Sequence, residues 1–308
     1  MMQAAQRQYI EGYCNVGTTD YTFSPTLSGT LTNVTVYPDA NGYWRWYKPK
    51  DKYLSGLFRA FTSISQAESN KLTRIKFHLD LSRIGSCECC FGGVNEQNYC
   101  SNLVETIGLA GIKPYSVMRF FQRCGSLQYL DVSSWDFSSI TSLYGFCASA
   151  TSLEVVGIET IDVSRVTNFT GCFHANATRI IDISSWSIIQ GANLYGLFAD
   201  MPNLTTISLP AIGGGSSVQN MFRNCTALTT ILSCGNIGEI TYPLSFANSP
   251  LTLQSAITVL NALQDVTSYG GATLTFSSTT KGYINNDATA LALVANAVNN
   301  LGWTIALN

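Results

Sequence analysis

The stretch that decides the predicted fold is Leu204-Thr205-Thr206-Ile207-Ser208-Leu209, in which apolar residues stand at positions i, i+3 and i+5. The same spacing returns at intervals of 23 to 26 residues along the middle of the chain. Internal repetition at such a period is the mark of a stacked repeat architecture. The copies are Val104/Ile107/Leu109, Leu127/Leu130/Val132, Leu153/Val156/Ile158, Thr178/Ile181/Ile183, Leu204/Ile207/Leu209 and Leu228/Ile231/Ser233, with Leu72/Ile75/Phe77 as an earlier, less regular copy.

Two further sequence features recur together with this spacing. A phenylalanine precedes the central position of each of five copies by 8 to 10 residues, and Ser133-Ser134-Trp135 returns 51 residues later as Ser184-Ser185-Trp186. Alternate residues of a short strand point to one side, so the last two apolar sites of a copy enter one core. The segment 217–225, with Val218, Met221 and Phe222, has the spacing of a short helix. The phenylalanines are Phe121, Phe146, Phe173, Phe198 and Phe222.

One such unit cannot bury its apolar side alone, whereas stacked units share a continuous core. The period lies in the range of leucine-rich repeats. The sequence therefore predicts an α/β fold: a right-handed leucine-rich-repeat solenoid with a parallel sheet on one side, formed by residues 54–250. The expected stack runs through Ile107, Leu130, Val156, Ile181, Ile207 and Ile231.

The repeat residues resemble the BspA-like leucine-rich repeats of Bacteroidetes and related gut organisms. The stretches that carry the resemblance are Asp162–Phe169, similar to that family's strand exit and turn, and Gln219–Leu228, similar to its helix and next strand entry. The resemblance covers about 72–250. It implies a binding or structural role, because such repeats occur in bacterial surface adhesins and in virion proteins of phages that infect the same bacteria.

The two ends differ from the repeats. Residues 1–53 form a predicted β-rich capping or docking region, with strands at Tyr21–Phe23, Leu31–Tyr37 and Gly42–Tyr47. Residues 251–308 form a predicted α-β-α-β cap in which Asp287 begins a helix and Gly302 follows its end. This tail is similar to the closing segment of many phage-encoded leucine-rich-repeat proteins.

Composition excludes several classes. The 308 residues carry 17 Lys+Arg and 19 Asp+Glu, a net charge of −2, and 46% are hydrophobic, which excludes intrinsic disorder and argues against a general nucleic-acid binder. The first residues lack the apolar core of a secretory signal, so export by another route is expected. Ala290 to Leu307 is interrupted by Asn and Gly, so no membrane insertion is expected.

Aromatic residues supply two candidate binding sites. The docking candidates Tyr43, Trp44, Arg45, Trp46 and Tyr47 are either core residues of an N-terminal cap or an anchor surface, since aromatics with arginine are typical of interfaces. The second set recurs at one phase of the repeat. Its members are either packed in the core or exposed as a strip for glycan or protein contact. They are Trp135, Trp186, Tyr144 and Tyr195.

Cysteine and aspartate clusters are the remaining candidates for metal or ligand binding. Cys87, Cys89, Cys90 and Cys100 could be plain thiols, disulfides or metal ligands; their spacing favours thiols, and neither a metal nor a cofactor is expected. Asp-x-Ser recurs after strand positions, where local turn capping is the favoured role and a calcium or sugar ladder the alternative. The four copies begin at Asp80, Asp131, Asp162 and Asp182.

The resulting functional expectation is a non-enzymatic binding or structural protein. In the leading form it is a phage virion component, on tail or capsid, that is assembled in the host cytoplasm and contacts the host surface or neighbouring virion proteins. The alternative is a bacterial cell-surface adhesin of the same repeat family. A third class, a glycan-processing enzyme, is supported only by the recurring Asp-x-Ser sequence. The expected partners are virion proteins or a host surface protein or glycan; homo-oligomers are compatible with the sequence.

Overall fold

A computed structural model describes residues 7–57, 59–62, 65–79, 81, 84–93 and 97–307. Residues 1–6 at the start of the chain lie outside this part, as do Asp80 and Ser82 of the first acidic turn. Contacts divide the chain into two compact units, Met1–Ile140 with Gly145–Val156 and Thr141–Tyr144 with Gly157–Asn308. The three-part division at 53 and 250 stays a prediction.

The predicted solenoid with a single parallel sheet along one side is wrong. The described strands form six small sheets of two to four strands each, some antiparallel and some parallel, and helices are few. The repeat strands are only three to five residues long and are joined by irregular turns, so their ladders stop after two or three strands. The result is a mixed α/β protein without solenoid closure.

The described residues of the first unit form eleven strands and one short α-helix. A four-stranded sheet has the order β6-β1-β8-β9, in which β1 is antiparallel to β6 and β8, and β9 is parallel to β8. The elements are β1 Tyr9–Cys14, β2 Tyr21–Phe23, β3 Thr26–Leu27, β4 Thr30–Leu31, β5 Val34–Val36, β6 Tyr43–Tyr47, β7 Leu54–Gly56, α1 Gln66–Ser69, β8 Leu72–His78, β9 Glu105–Ile107, β10 Tyr129–Asp131 and β11 Glu154–Val156.

The second unit contains two parallel sheets and three helices. The sheets have the orders β12-β13-β14 and β15-β16-β17. Helix α4 begins as predicted, because the Asp287 side chain accepts a 2.8 Å hydrogen bond from Ala290 N–H. Helix α3 was not predicted from the sequence. The elements are β12 Ile180–Asp182, β13 Thr206–Leu209, β14 Thr230–Cys234, β15 Leu244–Phe246, α2 Leu253–Ala262, β16 Ala272–Phe276, α3 Ser278–Asn285, α4 Ala288–Asn300 and β17 Trp303–Ile305.

The register of the parallel strands corrects the expected stack. Ile181, Ile207 and Ile231 are paired as predicted. Leu130, however, pairs with Val155, and Ile107 is 41% exposed and pairs with Lys76, whereas Thr106 holds the position opposite Ile75. Apolar spacing alone does not fix register, and a one-residue shift turns a side chain to the other face.

The helix expected at 217–225 is wrong. Its residues form turns closed by i to i+3 bonds, because Asn220 and Asn224 adopt φ of 59° and 58°, in the left-handed region that interrupts an α-helix. The same pair of positive φ angles four residues apart recurs along the chain. The other pairs are Arg119/Arg123, Gly145/Ser149, Gly171/Ala175 and Gly196/Asp200.

Buried aromatics form the core beside these turns. In the second unit, five phenylalanine rings stack with successive centroid separations of 5.9, 5.6, 4.8 and 6.4 Å. We call this set the phenylalanine column. Among the described residues, no helix is both long and apolar enough to cross a membrane. The column consists of Phe173, Phe198, Phe222, Phe246 and Phe276.

Candidate functional site

The candidate site is the outer face of the antiparallel part of the β6-β1-β8-β9 sheet. Strand alternation sends Ile10, Gly12 and Cys14 of β1 inward, and it turns Tyr9, Glu11 and Tyr13 outward. The outward residues of the three strands lie side by side, in the rows Tyr47/Tyr9/His78, Arg45/Glu11/Lys76 and Tyr43/Tyr13/Arg74. We call these nine residues the Arg45 face.

Glu11 organises the centre of the Arg45 face. Its Oε2 accepts hydrogen bonds from Arg45 Nη2 at 2.8 Å and from the Tyr43 hydroxyl at 3.0 Å, and its Oε1 lies 3.1 Å from His78 Nε2. Burial would raise the pKa of Glu11, but the hydrogen bonds from Arg45, His78 and Tyr43 outweigh it and lower the pKa below its ordinary value. The carboxylate therefore stays charged and holds Arg45 in place.

Arg45 is bound on its other sides by tyrosines. Its guanidinium lies 4.6 Å from the centroid of the Tyr9 ring and 5.7 Å from that of Tyr43, and its Nη1 donates to the Tyr47 hydroxyl at 3.4 Å. The hydrogen bonds with Tyr47 and Glu11 raise the pKa of Arg45. Cation–π contact and hydrogen bonding thus fix a side chain that is still 39% exposed.

Further aromatic contacts link the remaining side chains of the Arg45 face. The Tyr9 and His78 rings stack with centroids 4.1 Å apart, and Tyr13 and Tyr43 approach to 5.3 Å. Arg7, just before β1, lies over Tyr47 at 5.6 Å. With Arg7 included, four positive side chains and one carboxylate line this surface, so it favours an anionic or polar aromatic partner.

The five docking candidates divide between the two sides of β6. Tyr43, Arg45 and Tyr47 lie on the Arg45 face, whereas Trp44 is buried and contacts Phe23 at a centroid separation of 5.4 Å. Trp46 is half-buried and packs edge-on against the same ring. The alternation of the strand explains the division.

Sequence reasoning missed the residues that the other two strands, β1 and β8, contribute to the Arg45 face. Tyr9, Glu11 and Tyr13 come from β1, and Arg74, Lys76 and His78 come from β8. The available signal was the alternation of polar with apolar residues in 9–14 and 72–78, which is typical of a strand with one solvated face.

The repeat aromatics do not form an exposed strip of four. Trp135 and Trp186 are buried, at 5% and 4% exposure, and the Trp186 indole N–H donates to the Ile158 carbonyl at 2.8 Å. Tyr144 is half-buried, and Tyr195 is 39% exposed. The indoles therefore serve the core, and a binding role for the two tyrosines stays a prediction.

The cysteine cluster consists of buried thiols. Cys87, Cys89, Cys90 and Cys100 are outside any disulfide, and burial raises the pKa of each, to about 11 for Cys89. Across the described residues, no three His, Cys, Asp or Glu side chains are grouped so that they could hold a metal ion. Burial in an apolar core favours the protonated form of these four thiols.

The acidic turns have the local role that the sequence favours. The Oδ1 atoms of Asp131, Asp162 and Asp182 accept hydrogen bonds from the backbone N–H two residues on, at 2.9, 2.9 and 3.0 Å. These bonds stabilise the turn that leaves each strand. The copy at Asp80 lies outside the described residues.

Comparison with known proteins gives one partial match. A family described as "Mycoplasma protein of unknown function, DUF285" matches residues 115–234, which is less than half of the chain. No curated protein and no solved structure matches the chain. The matched segment follows the strands of the Arg45 face, so the similarity concerns the repeats and not the candidate site.

Proposed function

We propose that the chain is a non-enzymatic binding protein that docks on a partner protein through the Arg45 face. The observation that carries the proposal is the exposed guanidinium of Arg45, held between Tyr9 and Tyr43 and bonded to Glu11. Arginine and tyrosine are enriched among the residues that dominate binding energy at protein interfaces.

Preorganisation strengthens this argument. Immobilising a long side chain on binding costs free energy, and the Arg45 face has already fixed its central arginine through stacking and ion pairing. Tyrosine adds large contact area with few rotatable bonds. A partner with acidic and aromatic groups would therefore lose little binding energy to side-chain ordering on this side of the contact.

The biological setting is proposed from the repeats. Their resemblance to BspA-like repeats supports a phage virion component, on tail or capsid, that contacts a neighbouring virion protein or the host surface. A bacterial cell-surface adhesin is the second candidate, because the matched family is described as a Mycoplasma protein and thus as a cellular bacterial one.

Two measurements test the proposal. Mass spectrometry of purified particles should detect the polypeptide as a virion component; antibody labelling of intact bacteria without particle association would instead support the adhesin. The Arg45→Ala/Tyr47→Ala double variant should lose association with the particle or the cell. Arg165→Ala/Tyr283→Ala, which removes an exposed arginine and an exposed tyrosine elsewhere, is the matched control. Retention of the first variant at the level of the control would contradict docking through the Arg45 face.

A further inference from the structure

Four successive turns of the second unit line a groove of about 510 Å³, a volume within the range of ligand pockets. The turns follow strands β12, β13 and β14 and helix α2, and all of them belong to one compact unit. We call this feature the Gly214 groove. Its polar side chains are those of Gln190, Asn236, Glu239, Gln264 and Asp265, and the backbone of Gly214 lies among them.

The four turns are tied to one another by their backbones. Three hydrogen bonds of 2.8 to 2.9 Å join each turn to the next. Below them, Ile212, Ile237 and Leu263 are paired in register and buried. The walls of the Gly214 groove therefore stand on a fixed backbone, which limits the entropy lost when a ligand binds. The bonds run from Gly191 N–H to the Gly214 carbonyl, from Gly215 N–H to the Glu239 carbonyl and from Gln264 N–H to the Ile237 carbonyl.

Gly214 keeps the middle of the groove open. Gln190, Gly214, Glu239 and Gln264 follow one another at 24 or 25 residues, so they hold corresponding places in the four turns. Gly214 has a φ of 60°, in the left-handed region, and a Cβ there would lie 2.6 Å from Gln190 Cγ. Any other residue at this position would displace Gln190 and narrow the space between Gln190 and Glu239.

Three primary amides supply hydrogen-bonding groups to the groove. Gln190 and Asn236 are exposed, and their amides have no hydrogen-bond partner among the described residues. The Gln264 amide nitrogen donates to the Ala262 carbonyl at 3.4 Å, which is a long bond. Each amide holds two donor hydrogens and an acceptor oxygen in one plane. The groove therefore offers free donors and acceptors side by side.

Two carboxylates set the charge of the groove. Asp265 Oδ1 accepts from the N–H and the hydroxyl of Thr267 at 2.9 and 2.7 Å, and these bonds lower the pKa of Asp265. Glu239 supplies the second carboxylate. No lysine or arginine is among the described residues that line the groove. Two negative charges without a neighbouring cation oppose the binding of a phosphate, a sulfate or a carboxylate.

Tyr269 adds an aromatic surface beside Glu239. Its ring is 60% exposed. Its hydroxyl donates to the Glu239 carboxylate, which raises the pKa of Tyr269 and holds the ring next to the groove. A tyrosine bonded in this way combines apolar contact area with a fixed position. The groove thus has polar groups on its walls and an apolar platform at one side.

We propose that the Gly214 groove binds an uncharged saccharide. Sugar hydroxyl groups both donate and accept, so neighbouring hydroxyls pair with the planar amides and with the carboxylate oxygens at once. The apolar C–H face of the sugar ring then lies against Tyr269. The two carboxylates disfavour sialylated and sulfated sugars. This inference does not depend on the proposed role of the Arg45 face.

The probe is an array of immobilised oligosaccharides built from glucose, galactose, mannose and their N-acetylated amino sugars, with sialylated and sulfated forms as controls. The labelled full chain should bind a subset of the uncharged oligosaccharides, and it should bind each anionic form more weakly than its uncharged parent. The uncharged oligosaccharide that binds most is then measured by isothermal titration calorimetry. Absence of binding to every uncharged oligosaccharide, or preference for the anionic forms, would overturn the proposal.

Variants locate the bound saccharide. Asn236→Ala removes a free amide at an exposed position, so a folded protein with about tenfold weaker binding is expected. Asn261→Ala, at an exposed residue of α2 outside the groove, is the matched control. Tyr269→Phe keeps the ring and should bind more tightly than Tyr269→Ala. Equal affinities of Asn236→Ala and Asn261→Ala would contradict binding in the Gly214 groove.

A cation is the other ligand that two carboxylates attract, and spermidine is the probe for it. Glu239→Gln should still bind the selected saccharide, because glutamine also accepts hydrogen bonds. Spermidine should not saturate a site on either protein. Saturable binding of spermidine that is stronger than that of the saccharide, and that is lost in Glu239→Gln, would identify a cation site and overturn the proposal.

Nuclear magnetic resonance separates this site from the Arg45 face. Titration with the selected saccharide should shift the side-chain amide signals of Gln190, Asn236 and Gln264. The Arg45→Ala/Tyr47→Ala variant should show the same shifts as the unsubstituted protein. Shifts confined to the first unit would contradict the Gly214 groove and would leave docking through the Arg45 face to its own test.

Discussion

Strand alternation has a different result in two sheets of the molecule. It fills the core in the parallel sheet β12-β13-β14, and it builds an exposed polar face in the antiparallel strands β6, β1 and β8. In the parallel sheet the paired central residues are three isoleucines, Ile181, Ile207 and Ile231, and all are buried. In the antiparallel sheet the central row is Arg45, Glu11 and Lys76 on the outer face. Repetition thus identifies a core, whereas the candidate binding surface combines two strands outside the repeats, β1 and β6, with β8, the less regular copy.

The two regions also differ in the burial and the contacts of their aromatic rings. The phenylalanine column is buried, and its rings stack on one another. The tyrosines of the Arg45 face stack on cations and keep part of their surface in solvent. Substitutions in the first region should therefore change stability, and substitutions in the second should change binding.

The largest effect is expected from Phe222→Ala. Phe222 is 1% exposed and stacks between Phe198 and Phe246 at 5.6 and 4.8 Å, so its truncation leaves a cavity in the column. Loss of about 3–5 kcal/mol in the free energy of unfolding is expected, measured by urea denaturation. Tyr47→Ala, at a 45% exposed ring, is the comparison and should cost less than about 1 kcal/mol. Similar losses for both would break the distinction between core and docking aromatics.

A second test concerns the support beneath the Arg45 face. A Cβ at Gly12 would lie 2.6 Å from Trp44 Cζ2 and 2.7 Å from the Arg74 carbonyl oxygen. Gly12→Ala should therefore destabilise the protein by about 1–3 kcal/mol through overpacking, and it should weaken partner binding because β6 is displaced. Gly282→Ala in α3, where no atom lies within 4 Å, is the matched control and should stabilise by about 0.5–1 kcal/mol. Thermal unfolding of both variants separates the two outcomes.

A substitution in the repeat turns should have a smaller effect, and it should raise the free energy of unfolding. Ala175 has φ of 52°, a left-handed conformation that costs an L-residue roughly 1–2 kcal/mol. Glycine removes that strain but gains freedom in the unfolded chain, so Ala175→Gly should raise the free energy of unfolding by about 0.5–1 kcal/mol. Ala211→Gly, at an exposed residue outside the positive-φ positions, should instead lower it. A loss of stability at Ala175 as well would argue against a left-handed residue there.

Much of the local structure could be predicted from the sequence. The strands at Tyr21–Phe23 and Tyr43–Tyr47, helix α2 and the cap at Asp287 are confirmed, because alternation, helical spacing and capping are local signals. The helix at 217–225 is wrong because its apolar spacing also fits a turn in which Asn220 and Asn224 adopt positive φ. Asparagine tolerates that conformation, and the spacing of apolar residues carries no information about it.

The sheet organisation and most of the candidate site could not be predicted. Apolar spacing placed Ile107 and Val156 at the stack, whereas the register uses Thr106 and Val155, which only strand pairing reveals. Three strands from 9–14, 43–47 and 72–78 form the Arg45 face. Of these, only the second was a candidate, because its density of aromatics is visible locally, whereas cross-strand neighbours are not.

The smallest expected effect is the pH-dependent contribution of Glu11 to stability, which tests the role of charge in the Arg45 face. The pKa of Glu11 is lower in the folded protein than its ordinary value of about 4.3, so its ion pairs contribute stability that is present above that pH and lost as the pH falls through the folded-state pKa. Glu11→Gln removes this contribution. The difference in melting temperature between the unsubstituted protein and Glu11→Gln should therefore be largest near neutral pH and should disappear in acid. Glu154→Gln, an exposed carboxylate on β11, is the control and should show a smaller difference. A Glu11→Gln difference that stays constant from pH 7 to pH 2 would mean that the carboxylate holds Arg45 by shape and not by charge, and that the order of the Arg45 face rests on the stacked tyrosines alone.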